Sequence, residues 1–222
     1  TRRLDGYNGG AMNWSSKGRR LLYATVTCAA VCLLAAEPED KPLRSAPRAV
    51  WTGSAVTTLG GPSPDGRWLS LVEKHSGDLA VRDVQTGKHR AVAQAKPGSG
   101  EFAYFSVFAP DSERIAYAWF NNERFYELRV ASLQGGEPRT VYRNPEAGFV
   151  QPCAWTPDGK QILTLFFRKD NISQIALVST ADGSVKVLRS LEWVYPKRMD
   201  LSPDGRSIVY DSFSSTGAGD RD

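Results

Sequence analysis

The chain has 222 residues, 41% hydrophobic and 23% charged, with 28 Lys/Arg against 24 Asp/Glu. The resulting +4 sits in residues 1–36, where five Lys/Arg meet only Asp5, while residues 37–222 balance 23 against 23. A balanced chain lacks the clustered positive charge that supplies most nucleic-acid affinity, which excludes nucleic acid as a partner.

The first segment differs from the rest. Lys17, Arg19 and Arg20 precede a largely apolar run from Leu21 to Ala36, and Glu37-Pro-Glu-Asp40 follows at once. A basic stub, an apolar core and small residues at its end form the pattern of a secretory signal peptide, with Met12 as the natural start and residues 1–11 upstream of it. Leu34 stands where cleavage prefers a small residue, and a run from 21 to 36 is shorter than the ~20 residues that span a bilayer. The reading is a cleaved signal, with an uncleaved anchor as the alternative. Neither Cys28 nor Cys32 carries a lipoprotein pattern. Residues 37–49 read as a linker.

From residue 50 onward one short turn is written four times: Ser63-Pro64-Asp65-Gly66, Ala109-Pro110-Asp111-Ser112, Thr156-Pro157-Asp158-Gly159 and Ser202-Pro203-Asp204-Gly205. The prolines stand 46, 47 and 46 residues apart, a period in the range of propeller blades. Proline presets φ at the second position of a type I turn, and Ser, Thr and Asp bond to nearby backbone. Glycine then takes the left-handed position that returns the chain into an antiparallel strand. Ser112 breaks this rule, at a cost of roughly 1–2 kcal/mol if it adopts that conformation. The four aspartates therefore read as turn formers, not as a carboxylate cluster.

Strand-like runs flank each turn. Tyr104–Phe108, Gln151–Trp155 and Lys197–Leu201 lead in, and Arg114–Phe120, Gln161–Phe167 and Ser207–Tyr210 lead out. Third strands are expected at Asp78–Asp83, Tyr126–Ser132 and Gln174–Ser179, the first two partly alternating apolar and polar. They run into turns at Gln85-Thr-Gly87, Gln134-Gly-Gly136 and Ala181-Asp-Gly183, followed by short runs at Arg90–Ala93, Pro138–Tyr142 and Val185–Leu188. Four strands per repeat and no helical periodicity after residue 36 predict an all-β fold, a β-propeller of four-stranded antiparallel blades. Residues 50–222 would form an incomplete arc of about three and a half blades, with ring closure requiring sequence beyond Asp222.

Phe108, Trp155 and Leu201, two residues before their prolines, should pack between inner strands. Phe105, Tyr117, Trp119, Phe166 and Phe167 are expected on central strands as inter-blade core, with a ligand-stacking surface at the funnel mouth as the alternative. Cys153, alone after residue 36, cannot form an internal disulfide and reads as a small core residue. His75 and His89 read as solvent-facing loop residues. Glu37/Glu39/Asp40, Asp78/Asp83 and Asp220/Asp222 read as solvated acids, and Asn171-Ile-Ser173 matches a glycosylation acceptor pattern. There is no H-E-x-x-H, paired CxxC, P-loop or G-x-S-x-G elbow, and Gly98-Ser99-Gly100 lies in a loop. No catalytic, cofactor-binding or metal-ligating residue and no cofactor are expected.

The Pro-Asp-Gly turn after an aromatic-ended strand, with the Ile175–Gly183 strand and turn about 20 residues on, resembles the TolB-like (WD40-like) propeller repeat of bacterial envelope proteins over roughly residues 50–222. That resemblance implies an exported, periplasmic or extracellular, non-enzymatic scaffold binding a protein or small ligand at the propeller funnel. Membrane contact would come only through an uncleaved amino-terminal segment. Too few residues separate that segment from the first repeat for the amino-terminal domain of TolB itself. Similar repeats occur in prolyl-oligopeptidase-type and tricorn-like serine peptidases, which implies the alternative of a substrate-gating propeller whose catalytic domain lies beyond Asp222.

Overall fold

The computed structural model describes residues 49, 54–57, 60–191 and 194–211. The targeting segment 1–36, nearly all of the linker 37–49, and Asp220/Asp222 lie outside the described residues.

Every regular element described is a strand. Blade 1 comprises β1 (Val56–Thr57), β2 (Trp68–Glu73), β3 (Leu79–Asp83) and β4 (His89–Ala93). Blade 2 comprises β5 (Phe102–Phe108), β6 (Arg114–Phe120), β7 (Tyr126–Ser132) and β8 (Arg139–Arg143). Blade 3 comprises β9 (Ala147–Trp155), β10 (Gln161–Arg168), β11 (Ser173–Ser179) and β12 (Val185–Ser190), and β13 (Met199–Leu201) and β14 (Ile208–Tyr210) begin a fourth. Each sheet is an antiparallel meander in sequence order. The fold is an incomplete β-propeller, three four-stranded blades and a two-stranded start among the described residues.

The four repeated turns explain how the first strand of each blade returns into the second. Ser63, Thr156 and Ser202 each donate their hydroxyl to the turn aspartate. The same hydroxyls accept the N–H of Trp68, Gln161 and Ser207 at 2.9–3.0 Å, closing the start of the next strand. Asp65, Asp158 and Asp204 in turn accept the N–H two residues on, at 3.0–3.1 Å. In blade 2, Ala109 has no hydroxyl, and Asp111 compensates by accepting the N–H groups of Glu113 and Arg114 and the Arg114 guanidinium at 2.7 Å. All four prolines line one depression on this turn face.

The core lies between blades. Leu79 and Val81 of blade 1 meet Ile115, Tyr117 and Trp119 of blade 2. Leu128 and Val141 of blade 2 meet Val150, Ile162 and Val178 of blade 3. Leu163 and Leu165 pack toward Met199, Leu201 and Ile208. Polar pins add direction at the first two junctions. Trp155 Nε1 donates to the Val107 carbonyl at 3.0 Å, and the Arg90 and Arg139 guanidiniums donate to the carbonyls of Leu133 and Thr180 in the following blade. Phe108 and Trp155 are buried and Leu201 is half-buried, as their place before the prolines predicts.

Candidate functional site

In this meander the first strand of each blade pairs only with the second, so its other edge faces the centre. There the Gly60-Gly61 segment and β5, β9 and β13 surround an open cleft of about 890 Å³. Gly60 permits this convergence, because a Cβ there would collide with the Ser70 and Ser106 hydroxyls, which are hydrogen-bonded to each other at 3.0 Å across blades 1 and 2. The inner strands are irregular. Phe105 bulges out of register between Tyr104 and Ser106, and Cys153 between Pro152 and Ala154. Pro152 is tolerated here because a strand paired on one side has no ladder bond to lose on the other.

Phe105 stands at φ 41, an unusual conformation for a bulky residue and one that costs about 1–3 kcal/mol. It is on the inner strand, not a central one, and is half-buried on the cleft. Its ring meets Tyr104 and Phe149 edge-on, at centroid separations of 4.6 and 5.8 Å. Phe149 continues the contact to Tyr126 and Tyr195, and Tyr195 to Phe167. The expected inter-blade core role holds for buried Tyr117, Trp119 and Phe166. Phe105 and Phe167 instead join a half-buried aromatic network at the end of the sheets opposite the proline turns. The bulge that re-aims Phe105 depends on β5–β6 register, which the run of apolar letters does not display.

Polar groups share the cleft. Tyr195 donates its hydroxyl to Gln151 Oε1 at 2.7 Å, and burial holds the phenol well above its ordinary pKa. The backbone N–H groups of Lys197 and Arg198 both donate to Asp211 Oδ1, at 2.7 and 3.0 Å, while Asp200 accepts from Leu201 N at 2.8 Å. The side chains of Lys197 and Arg198 are exposed, with no carboxylate at ion-pair distance among the described residues. Cys153 is half-buried, packs on the blade 3 core and donates weakly to the Gln151 carbonyl. Burial pushes its thiol up to about 12, which leaves almost no thiolate at neutral pH.

Other sequence-singled residues lie elsewhere. His75 is exposed in the β2–β3 loop, whereas His89 opens β4, with Nε2 3.3 Å from Glu73 Oε1. Asp83 is not the solvated acid expected, and Asp78 is half-exposed. Asp78 accepts the Ala95 N–H at 2.8 Å, and nearly buried Asp83 accepts those of Gln85 and Thr86, which closes the β3–β4 turn. Asn171 is exposed at φ 63, with Ser173 fully buried on β11. The described residues contain no group of three His, Cys, Asp or Glu able to hold a metal. One buried charge was not anticipated: Glu127, 3% exposed, receives hydrogen bonds from Asn121, Arg129 and Arg143. Its single acidic letter on an alternating strand looks solvent-facing, and the partners come from β7 itself, β8 and the β6–β7 loop.

The sequence matches no protein-family model. Among solved structures, a protein assigned as TolB from Agrobacterium tumefaciens superimposes with a TM-score of 0.58 at 23% identity, covering 74% of this chain and 57% of that one. TolB from Acinetobacter baumannii gives 0.57 at 21%, covering 73% and 39%. A prolyl endopeptidase gives 0.53 at 18%, covering 71% and 26%. This chain thus spans less than two thirds of each of these proteins. Antiparallel four-stranded blades repeated around the proline turns, together with these superpositions, give the chain the fold of a TolB-like β-propeller.

Proposed function

We infer that the chain is an exported, non-enzymatic binding module, a TolB-like propeller that holds a protein or ligand at its central cleft. The observation that carries this reading is the cleft itself. Inner strands from successive blades converge on it and present a strained aromatic ring, a positioned amide and exposed cations. Strain of the Phe105 kind concentrates where function requires it. The basic stub and apolar run of residues 17–36 support export.

The test joins the two halves of the reading. A photo-crosslinking amino acid at position 197 of the full chain, where exposed Lys197 lines the cleft, expressed in a bacterial host and followed by cell fractionation, should yield an adduct in the envelope fraction. A reporter fused behind residues 1–36 that stays in the cytoplasm would defeat export. Absence of any adduct at position 197 would defeat the cleft as the binding surface.

The superposition on a prolyl endopeptidase favours one second reading, a propeller that gates substrate entry to a serine-peptidase domain located beyond Asp222. The natural reading frame decides between them. A following α/β-hydrolase domain with a G-x-S-x-G elbow supports the gate, and closure of the ring followed by a stop codon supports the binding module.

A further inference from the structure

We propose that Asn171 is the acceptor of an N-linked glycan, attached through its side-chain nitrogen while the chain is being exported. The proposal rests on the export half of the reading above and adds a modification site to it.

The three blades show the same hairpin tip in three versions. Between the second and third strands, Gly77, Arg124 and Asn171 take matching places at φ 81, 70 and 63. Each tip is closed by a backbone N–H, from Glu73, Asn121 and Arg168, to the carbonyl of the residue that follows it. Glycine and arginine serve this backbone as well, so the turn does not require asparagine. The Asn171 side chain is exposed, and among the described residues no hydrogen bond engages it.

Two residues on, the third strands start at Leu79, Tyr126 and Ser173. Leu79 is fully buried and Tyr126 packs on the core between blades 2 and 3, so this place suits an apolar side chain. Ser173 is equally buried, and its hydroxyl has no hydrogen-bond partner. A hydroxyl enclosed without a bond loses its hydration and gains nothing in the folded state. The repeat thus departs from its pattern at two places without structural benefit. Together the departures spell Asn171-Ile172-Ser173, the acceptor tripeptide with a middle residue other than proline.

Glycan transfer uses both groups. The co-reactant is an oligosaccharide carried on a lipid pyrophosphate. A bond forms between the Asn171 side-chain nitrogen and the anomeric carbon, the bond from that carbon to the pyrophosphate oxygen breaks, and the nitrogen gives up one proton. The Ser173 hydroxyl is the group by which the transferase recognises the acceptor. Ser173 is enclosed once β11 pairs with β10, opposite Phe167, so transfer precedes folding of this hairpin, as it does for a chain in transit. After folding, Asn171 remains at an exposed tip, where a glycan projects into water and displaces no packed side chain. The other such tripeptide, Asn13-Trp14-Ser15, lies ahead of the basic stub, on the side of the apolar run that does not cross the membrane.

The experiment takes the chain from the organism that makes it, after cell fractionation. Trypsin releases residues 170–186 as one peptide, and fragmentation in the mass spectrometer should place a glycan on Asn171. In the same host, Asn171→Gln and Ser173→Ala should each lose the glycan, and Ser173→Thr should keep it. A structural role predicts otherwise for the unglycosylated proteins: here Ser173→Ala, which breaks no hydrogen bond, should leave the urea midpoint unchanged or raise it. An exported chain with an unmodified 170–186 peptide overturns the proposal and leaves the export reading intact. A glycan that persists in Asn171→Gln or Ser173→Ala also overturns it. A chain confined to the cytoplasm removes both.

Discussion

Ser112 Oγ accepts the backbone N–H of Asp65 at 3.1 Å, tying the turn between the first two strands of blade 2 to its counterpart in blade 1. Ser112 is the one turn residue of the four that is not glycine, and it occupies the left-handed region at φ 58, as the glycines do at φ 66 to 70. The departure from the repeat thus exchanges backbone comfort for an inter-blade hydrogen bond.

That exchange can be weighed. Ser112→Ala keeps the strained backbone and loses the bond, and should destabilise the fold by about 0.5–1 kcal/mol. Ser112→Gly also loses the bond but recovers about 1 kcal/mol of strain, so it should stay near the parent. Urea midpoints of the two variants give the ordering. Glycine falling below alanine would mean that the left-handed backbone carries no cost at this site.

The buried Glu127 gives a larger effect. Its removal leaves Arg129 and Arg143, both partly exposed, without the carboxylate that holds them together. Glu127→Ala should cost about 2–3 kcal/mol, less than for a fully enclosed pair because water reaches both guanidiniums. Glu127→Gln should recover part of this by keeping an oxygen to accept. Denaturation midpoints with unchanged m-values are the check, and a cost below about 0.5 kcal/mol would place Glu127 among ordinary surface acids.

Acid should loosen the fold in a defined window. Burial works to raise the Glu127 carboxyl, but hydrogen bonds from Asn121, Arg129 and Arg143 outweigh it and hold the group below its ordinary value. The Thr156 hydroxyl and Lys160 N–H lower Asp158, Ser202 and Arg206 do the same for Asp204, and the Ser179 hydroxyl and Ser184 N–H bring Asp182 to about 2. For carboxyls lowered on folding, the contribution is complete above the unfolded values near pH 4 and is lost as pH falls through the folded ones. Stability should therefore be flat from pH 7 to about 5 with respect to these groups and drop between about pH 4 and 2. A urea midpoint unchanged down to pH 2.5 would refute this.

The repeat was legible in the sequence because a proline turn is local. Every expected strand is present, and boundaries move by only a few residues, as where β9 begins at Ala147 instead of Gln151. What escaped depends on hydrogen bonds and register that single letters do not display. Asp83 looked solvated although its partners are local, because the N–H groups of Gln85 and Thr86 that donate to it leave no mark in the letters of the turn. Phe105 looked like core because a bulge, which turns a side chain to the other face, leaves no mark in a run of apolar letters. Glu127 needed Arg143, a partner in the next strand.

Inter-blade contact also makes two turn glycines unequal. Gly66 and Gly183 both have positive φ, at 70 and 74, but a Cβ at Gly66 meets open space whereas one at Gly183 would collide with the Val141 carbonyl of blade 2. Gly66→Ala should cost only the backbone term of about 1 kcal/mol. Gly183→Ala adds displacement of a backbone oxygen across the blade 2–3 junction and should cost at least about 2–3 kcal/mol. Equal thermal midpoints for the two variants would show that the junction yields without cost.

Local stability should fall along the arc. β10 is paired on both sides, with β9 and β11, and carries the fully buried Ile162, Leu163 and Leu165. The β13–β14 pair has three residues in register, Met199 with Tyr210, Asp200 with Val209 and Leu201 with Ile208, and Val209 is 68% exposed. Repeat folds draw stability from neighbour interfaces, and a pair with few buried contacts opens without global unfolding. Amides of 162–165 should exchange on the order of 100-fold more slowly than those of 208–210, a difference of ~3 kcal/mol in opening free energy. Hydrogen exchange on a sample shown to be monomeric measures this directly. Equal protection of the two segments would mean that the two-stranded unit is held as firmly as a full blade, and the contact-based ranking would be wrong.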